Sequence, residues 1–200
     1  RTEAAERSIT ETANAPGAEP PTTTGSLAVG RPEVRAALVR MLPAVLALTI
    51  VTCVGGAISS FTPQFAPGAT LTFVALLAFT SLSALARWAV GGPADRFGAR
   101  RFILPGLGFA VVGSGAIAGG LAASDPTASA VLILLGVSFA GLAFGTMQNV
   151  TLVRAFELAG ERASATASTV WNVAFDAGTG AGALIIGALA TTTSFSLAFV

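Results

Sequence analysis

The segment Arg87-Trp88-Ala89-Val90-Gly91-Gly92-Pro93-Ala94-Asp95-Arg96-Phe97-Gly98-Ala99-Arg100-Arg101 joins two apolar runs, at about residues 71–90 and 102–122. Each run is about 20 residues, enough to cross a hydrocarbon core of roughly 30 Å as a helix. Arg87, Arg96, Arg100 and Arg101 hold the segment in water, so a turn at a membrane surface is predicted. Gly91 and Gly98 would permit that turn to be tight. Asp95 can accept hydrogen bonds from arginines or from a neighbouring helix N-terminus. Taken alone, this is also what an ordinary arginine-bearing membrane loop with a chance Asp-Arg pair would look like.

Further apolar runs lie on either side of this pair. Spans are predicted at about 41–61, 71–90, 102–122, 130–152 and 167–190, with a truncated sixth from about 193. Their backbones must be helical, because unpaired amides are intolerable in lipid. The connectors alternate in charge. Phe61–Ala69 has none and Ala123–Ser129 has only Asp125, whereas Arg154–Arg162 carries Arg154, Glu157, Glu161 and Arg162. With Arg31, Arg35 and Arg40 ahead of the first span, these arginines fall on one side, which the positive-inside rule makes cytoplasmic. Residues 1–34, rich in Ala, Thr, Pro and Glu, are predicted to be a disordered cytoplasmic linker, and 35–200 a membrane bundle. Arg1, which is not an initiating Met, and Val200, inside an apolar run, are expected to be cut ends. No signal peptide is expected in the polar first 30 residues.

Composition agrees. Hydrophobic residues make up 53% and charged residues 10%, with a mean hydropathy of +0.76, whereas a soluble domain carries about a quarter charged residues. Histidine, lysine and tyrosine are absent and Cys53 is the one cysteine. Histidine triads, histidine metal sites and disulfide frameworks are thereby excluded. There is no Walker-type loop to support ATP-driven work. No catalytic residue, cofactor, metal or nucleic-acid partner is expected.

The order of residues in the loop is more specific than its charge. It resembles the signature loop of the major facilitator superfamily, roughly G-x-L-A-D-R-x-G-R-R. Gly91, Ala94, Asp95, Arg96, Gly98 and Arg100 match; Pro93 replaces the usual Leu and Ala99 the first Arg of the later pair, with Arg101 placed to supply the missing charge. The resemblance covers about 34–200 and implies an all-α integral membrane protein of that family's bundle type. In the family the signature follows helix two and, less strictly, helix eight. A long polar segment before the first span favours the second copy, and so does the lack of a mid-membrane Arg in Gly136–Gly145. The stretch Gly178-Thr179-Gly180-Ala181-Gly182-Ala183 lacks the Gly-Pro-x-x-Gly-Gly pattern of helix five in drug-antiporter relatives. Gln148–Val153 and Trp171–Gly178 look like helices ten and eleven of bacterial drug or sugar effluxers. A C-terminal half, helices seven to eleven and the start of twelve, is therefore implied; an N-terminal half of the same family is the alternative.

The resemblance implies secondary active transport of a small solute by alternating access. The chain's partners would then be that solute, protons, membrane lipid and the missing half of the same protein. A non-transporting receptor or scaffold of the same fold is the rival, and a membrane enzyme finds no paired carboxylates or nucleophile constellation here. The gating candidates are Arg87, Gly91, Asp95, Arg96, Gly98, Arg100 and Arg101, with Glu157 and Arg162 of the adjoining loop; an Arg96–Glu157 pair could lock one conformation. Asp176 is the only acid well inside a span, and Asn172 and Thr179 share its helix face. It either binds substrate or a proton, or is structural; both readings stay open. Thr49 and Thr52 are hydroxyls that could meet solute in a cavity-lining first span, although Ser and Thr at such depth often bond back to their own helix. Gly115/Gly119, Gly141/Gly145 and Gly178/Gly182 are predicted to mark close helix packing.

Overall fold

The computed structural model describes residues 31–199. The predicted linker lies outside the described residues up to residue 30, as does Val200. The described backbone forms α1 (Arg31–Phe65), α2 (Ala69–Phe97), α3 (Arg100–Ala122), α4 (Pro126–Ala159), a 3-10 turn (Glu161–Ala163), α5 (Ser164–Thr192) and α6 (Phe195–Ala198). The five long helices are each long and apolar enough to cross a membrane. The architecture is the predicted all-helical bundle.

The helices outrun the apolar windows. α1 begins at Arg31, inside the last residues assigned to the linker, and the connector expected at 87–101 is helical except for Gly98 and Ala99. Once nucleated, a helix gains one hydrogen bond per added residue, so the membrane surface is no reason to stop. Glycine stops it instead. Gly98 has φ 86° and its N–H donates to the Ala94 carbonyl at 2.9 Å; Gly160 has φ 72° and donates to Phe156 at 3.0 Å. Both adopt the left-handed conformation that side chains resist. Gly91 is not part of the turn, contrary to expectation: it lies within α2. α4 starts on Asp125, whose carboxylate accepts from the Ala128 N–H at 2.6 Å, with Pro126 next in line.

Because the connectors are so short, successive helices run antiparallel. α2, of 29 residues, is about 43 Å long at 1.5 Å per residue, so residues 66–68 and 98–99 lie at opposite ends of the bundle. The arginines from Arg35 onward gather at the 98–99 end.

α4 packs on α3, α2 and α1, and α1 packs in turn on α5. The apolar windows of α1 and α4 are 56% and 50% buried, those of α2 and α5 only 17%, which makes α1 and α4 the central pair. Apolar side chains also cover the outside: Trp88, Leu104 and Leu184 are 81%, 78% and 76% exposed, a pattern suited to lipid as solvent. Lipid supplies no hydrophobic drive between helices, so contact depends on close approach. Gly141 and Gly145 lie against the backbone of Phe79 and Ser83, and Gly178 and Gly182 against Thr49 and Cys53. The third predicted pair is wrong. Gly115 and Gly119 are exposed, and α3 meets α4 through Gly113 and Gly120 on a different face.

Candidate functional site

α2, α4 and α5 meet through a row of aromatic rings. Phe79 of α2 lies 5.4 Å from Phe144 of α4, which lies 5.7 Å from Phe175 of α5. Phe175 stacks on Trp171 at 5.5 Å and 18°. Phe144 also occupies the place where a side chain at Gly55 of α1 would stand. It therefore touches α1, α2 and α5 and sits where the central pair meets its flanks. The Trp171 indole N–H donates to Thr151 Oγ1 at 2.9 Å, and the Thr151 hydroxyl donates to the Met147 carbonyl. That chain fixes α5 to α4. Phe79 and Phe144 were not singled out from the sequence, and Trp171 and Phe175 entered only as members of the run Trp171–Gly178; only the fold aligns the four.

Asp176 follows Phe175 directly and is exposed, with no hydrogen-bond or ion-pair partner among the described residues. It stands about 18 Å along α5 from Ser164 at 1.5 Å per residue. Gly178 and Gly182 turn toward α1, so Asp176 is on another face. Asn172, one turn earlier, is also exposed and donates to the Ser168 carbonyl at 2.9 Å. Thr179 donates to the Phe175 carbonyl at 2.9 Å. The Asp176–Asn172 face is thus open and polar. Thr49 and Thr52 are not on an open face: Thr49 donates back to Val45, and Thr52, 1% exposed, donates to Thr49. Both are pressed against Gly178, so they serve the α1–α5 contact in this conformation.

The arginine-bearing end is arranged differently from expectation. Arg87 lies inside α2 and clamps α4: its Nη1 donates to Gln148 Oε1 at 3.0 Å, while Asn149 Nδ2 donates to the Arg87 carbonyl at 3.1 Å. Gly91 is next to the same Asn149. In a double-mutant cycle, Arg87→Ala with Gln148→Ala should show a coupling of about 1 kcal/mol. Additive losses in thermal unfolding would mean that the clamp holds nothing. The Arg96–Glu157 pair is not formed. Glu157 accepts from Arg154 on its own helix at 2.8 Å, and the Arg96 guanidinium lies over the Phe97 ring at 5.5 Å. Asp95, Arg100 and Arg101 are exposed, without ion-pair partners among the described residues. Glu157→Gln should change stability by at most about 1 kcal/mol, as for exposed pairs generally; a larger loss would reveal a contact beyond Arg154.

An apolar recess of about 440 Å³ lies between α1, α3, α5 and α6, bounded by Ile50, Val54, Ser114, Ile185 and Phe199. It carries no charged group and includes neither Asp176 nor Asn172. Among the described residues, no group of acids and cysteine is placed to hold a metal ion.

No curated protein and no solved structure matches the chain. The family model described as Major Facilitator Superfamily matches residues 4–183, which takes in every long helix up to the later turns of α5. With five antiparallel membrane-crossing helices, a Gly98-terminated turn between α2 and α3 and arginines gathered at one end, the chain belongs to the major facilitator superfamily of membrane transporters.

Proposed function

We propose that this chain is the C-terminal half of a secondary active transporter that exports a small solute across a bacterial cell membrane by alternating access. In this reading the N-terminal segment is cytoplasmic and Asp176 carries a proton or the solute's positive charge. The carrying observation is Asp176 itself: an exposed acid at mid-depth with no partner among the described residues. A charge facing hydrocarbon at that depth costs about 2.5–3.5 kcal/mol, so such groups face a water-filled cavity or another protein segment. The face of α5 that bears Asp176 is therefore an inner surface, opposed by something absent from these residues. A second bundle rocking against this one provides both the cavity and the opposing wall. The Phe144–Phe175–Trp171 row beside Asp176 adds apolar and aromatic surface, suited to a solute with a lipophilic body.

One further feature favours the C-terminal half. The family match runs upstream of α1 into the polar segment, as a loop between halves would. Ser194 caps a new helix, its hydroxyl accepting from the Leu197 N–H at 3.3 Å, and Ser196 Oγ holds that helix to Ala118 of α3 at 2.9 Å. A sixth span continuing α6 would lie along the apolar recess. The test is solute flux in proteoliposomes of the full-length parent, with a fluorescent lipophilic cation as probe and an imposed pH gradient. Gradient-driven flux supports transport. A properly folded parent that carries no flux for a panel of cationic, neutral and anionic solutes supports a receptor or scaffold instead.

A further inference from the structure

A second recess, of about 510 Å³, opens at the arginine-bearing end between the start of α1 and the α4–α5 connector. Ala36 and Arg40 form one wall; Gly160, Glu161 and Arg162 form the other. The positive φ of Gly160 turns the chain off the α4 axis, and the single 3-10 turn that follows carries Arg162 back toward α1. Two guanidinium groups thus border one space. Arg40 uses its Nε on the Ala36 carbonyl at 3.2 Å, and its terminal nitrogens have no acceptor among the described residues. Arg162 has no acceptor among the described residues, and Glu161 pairs with neither arginine. Two positive charges against one negative leave the recess cationic. A planar guanidinium fork matches the oxygens of a phosphate.

The depth of the recess selects the source of that phosphate. Arg40 immediately precedes the apolar run that starts at Met41, so the recess lies at headgroup level. Beside it on α1, Val39, Leu42, Leu46 and Ile50 are 64%, 51%, 52% and 58% exposed. Their 3-4-4 spacing forms one stripe that runs from the recess into the hydrocarbon. We infer that the recess binds the phosphodiester headgroup of an anionic phospholipid, with an acyl chain lying along that stripe. A bound headgroup bridges α1 to the start of α5, two helices that also meet at Gly178 and Gly182, and so braces the arginine-bearing end of their contact.

The test uses the whole chain in detergent, titrated with phosphatidylglycerol or phosphatidylcholine and read by native mass spectrometry. Phosphatidylglycerol should bind at least about tenfold more tightly, because phosphatidylcholine carries the same phosphodiester with an added trimethylammonium cation that the two guanidinium groups repel. The double variant Arg40→Gln/Arg162→Gln should lose that preference. Arg100→Gln/Arg101→Gln, which removes the same two charges at the same end but away from the recess, should keep it. Arg40→Lys/Arg162→Lys should retain part of it, since charge remains without the fork. Circular dichroism and melting temperature establish that each variant is folded; if the double variant is not, Arg40→Gln and Arg162→Gln are read singly, each with a partial loss. Undiminished preference in folded variants overturns the inference, as does equal binding of the two lipids. Displacement of the lipid by equimolar inorganic phosphate also overturns it, because it would make the recess a site for soluble anions.

Discussion

Gly182→Ala is expected to destabilise the bundle by about 1–3 kcal/mol, a typical magnitude for overpacking a tight contact. Gly180→Ala, two residues away on the same helix, is expected to have the opposite sign. A methyl group at Gly182 would fall on the backbone of Cys53 in α1, where no side-chain rotation can make room, whereas one at Gly180 meets nothing within 4 Å. Alanine relieves the conformational freedom of a helical glycine, which is worth roughly 0.5–1 kcal/mol. At Gly180 that gain stands alone. At Gly182 it is outweighed, because α1 and α5 must move apart along the whole line of contact formed with Gly56, Gly178 and Thr52. For a chain of this size, 2 kcal/mol corresponds to a fall in melting temperature of about 4–8 °C. The fluorescence of Trp171, which is stacked on Phe175 of α5, reports the transition. If both alanines shift the melting temperature in the same direction, α1 and α5 are not in backbone contact there.

Gly145 and Gly115 form a second matched pair. The first lies on the backbone of Ser83 in α2, and the second faces open space. From sequence the two are indistinguishable: each belongs to a pair of glycines four apart in an apolar span. Spacing says only that a helix has a smooth stripe. Which stripe meets a neighbour depends on the rotation of each helix about its axis, and that is set by all the contacts at once.

The same distinction separates what could be read in the residues from what could not. Spans and their alternation were legible because lipid imposes length and helicity on any crossing segment, and the arginines at one end were legible from charge alone. Helix ends were not. The reading placed the loop at 87–101, where charge begins, but the backbone turns at Gly98, where positive φ is needed, and Arg87 became a clamp on Gln148. Asp176 stood out as the lone acid in a span, and the structure leaves it open and unpaired among the described residues. Thr49 and Thr52 carried the same polar signal but pack against α5 with their hydroxyls bonded back to their own helix. A carboxylate has no such recourse: it needs donors, and a helix interior offers none. The aromatic row through Phe144 was invisible, since its members come from three helices with no common spacing.

In the full-length transporter proposed above, Asp176→Asn is expected to lower uphill solute flux at least about a hundredfold, while solute counterflow without a gradient persists. The magnitude follows from the roughly 2.5–3.5 kcal/mol at stake when a charge at this depth is left unsatisfied, since each 1.36 kcal/mol is a factor of ten. If protonation or solute binding relieves that charge in one orientation of the carrier and not in the other, the difference is what couples the gradient to the movement. Asparagine keeps the shape and the hydrogen bonding but cannot change charge, so the two orientations lose their linkage. Glutamate restores the charge one methylene further out and should recover part of the uphill flux with an altered pH profile. A merely structural acid would behave otherwise. Its replacement would lower the melting temperature and reduce uphill flux and counterflow together, with no change in pH profile. Labelling gives an independent readout: a hydrophobic carbodiimide should modify Asp176, and transported solute should block that modification. An Asp176 in the folded parent that is never labelled, at any pH and without solute, would be sealed against the other half and would carry neither proton nor substrate.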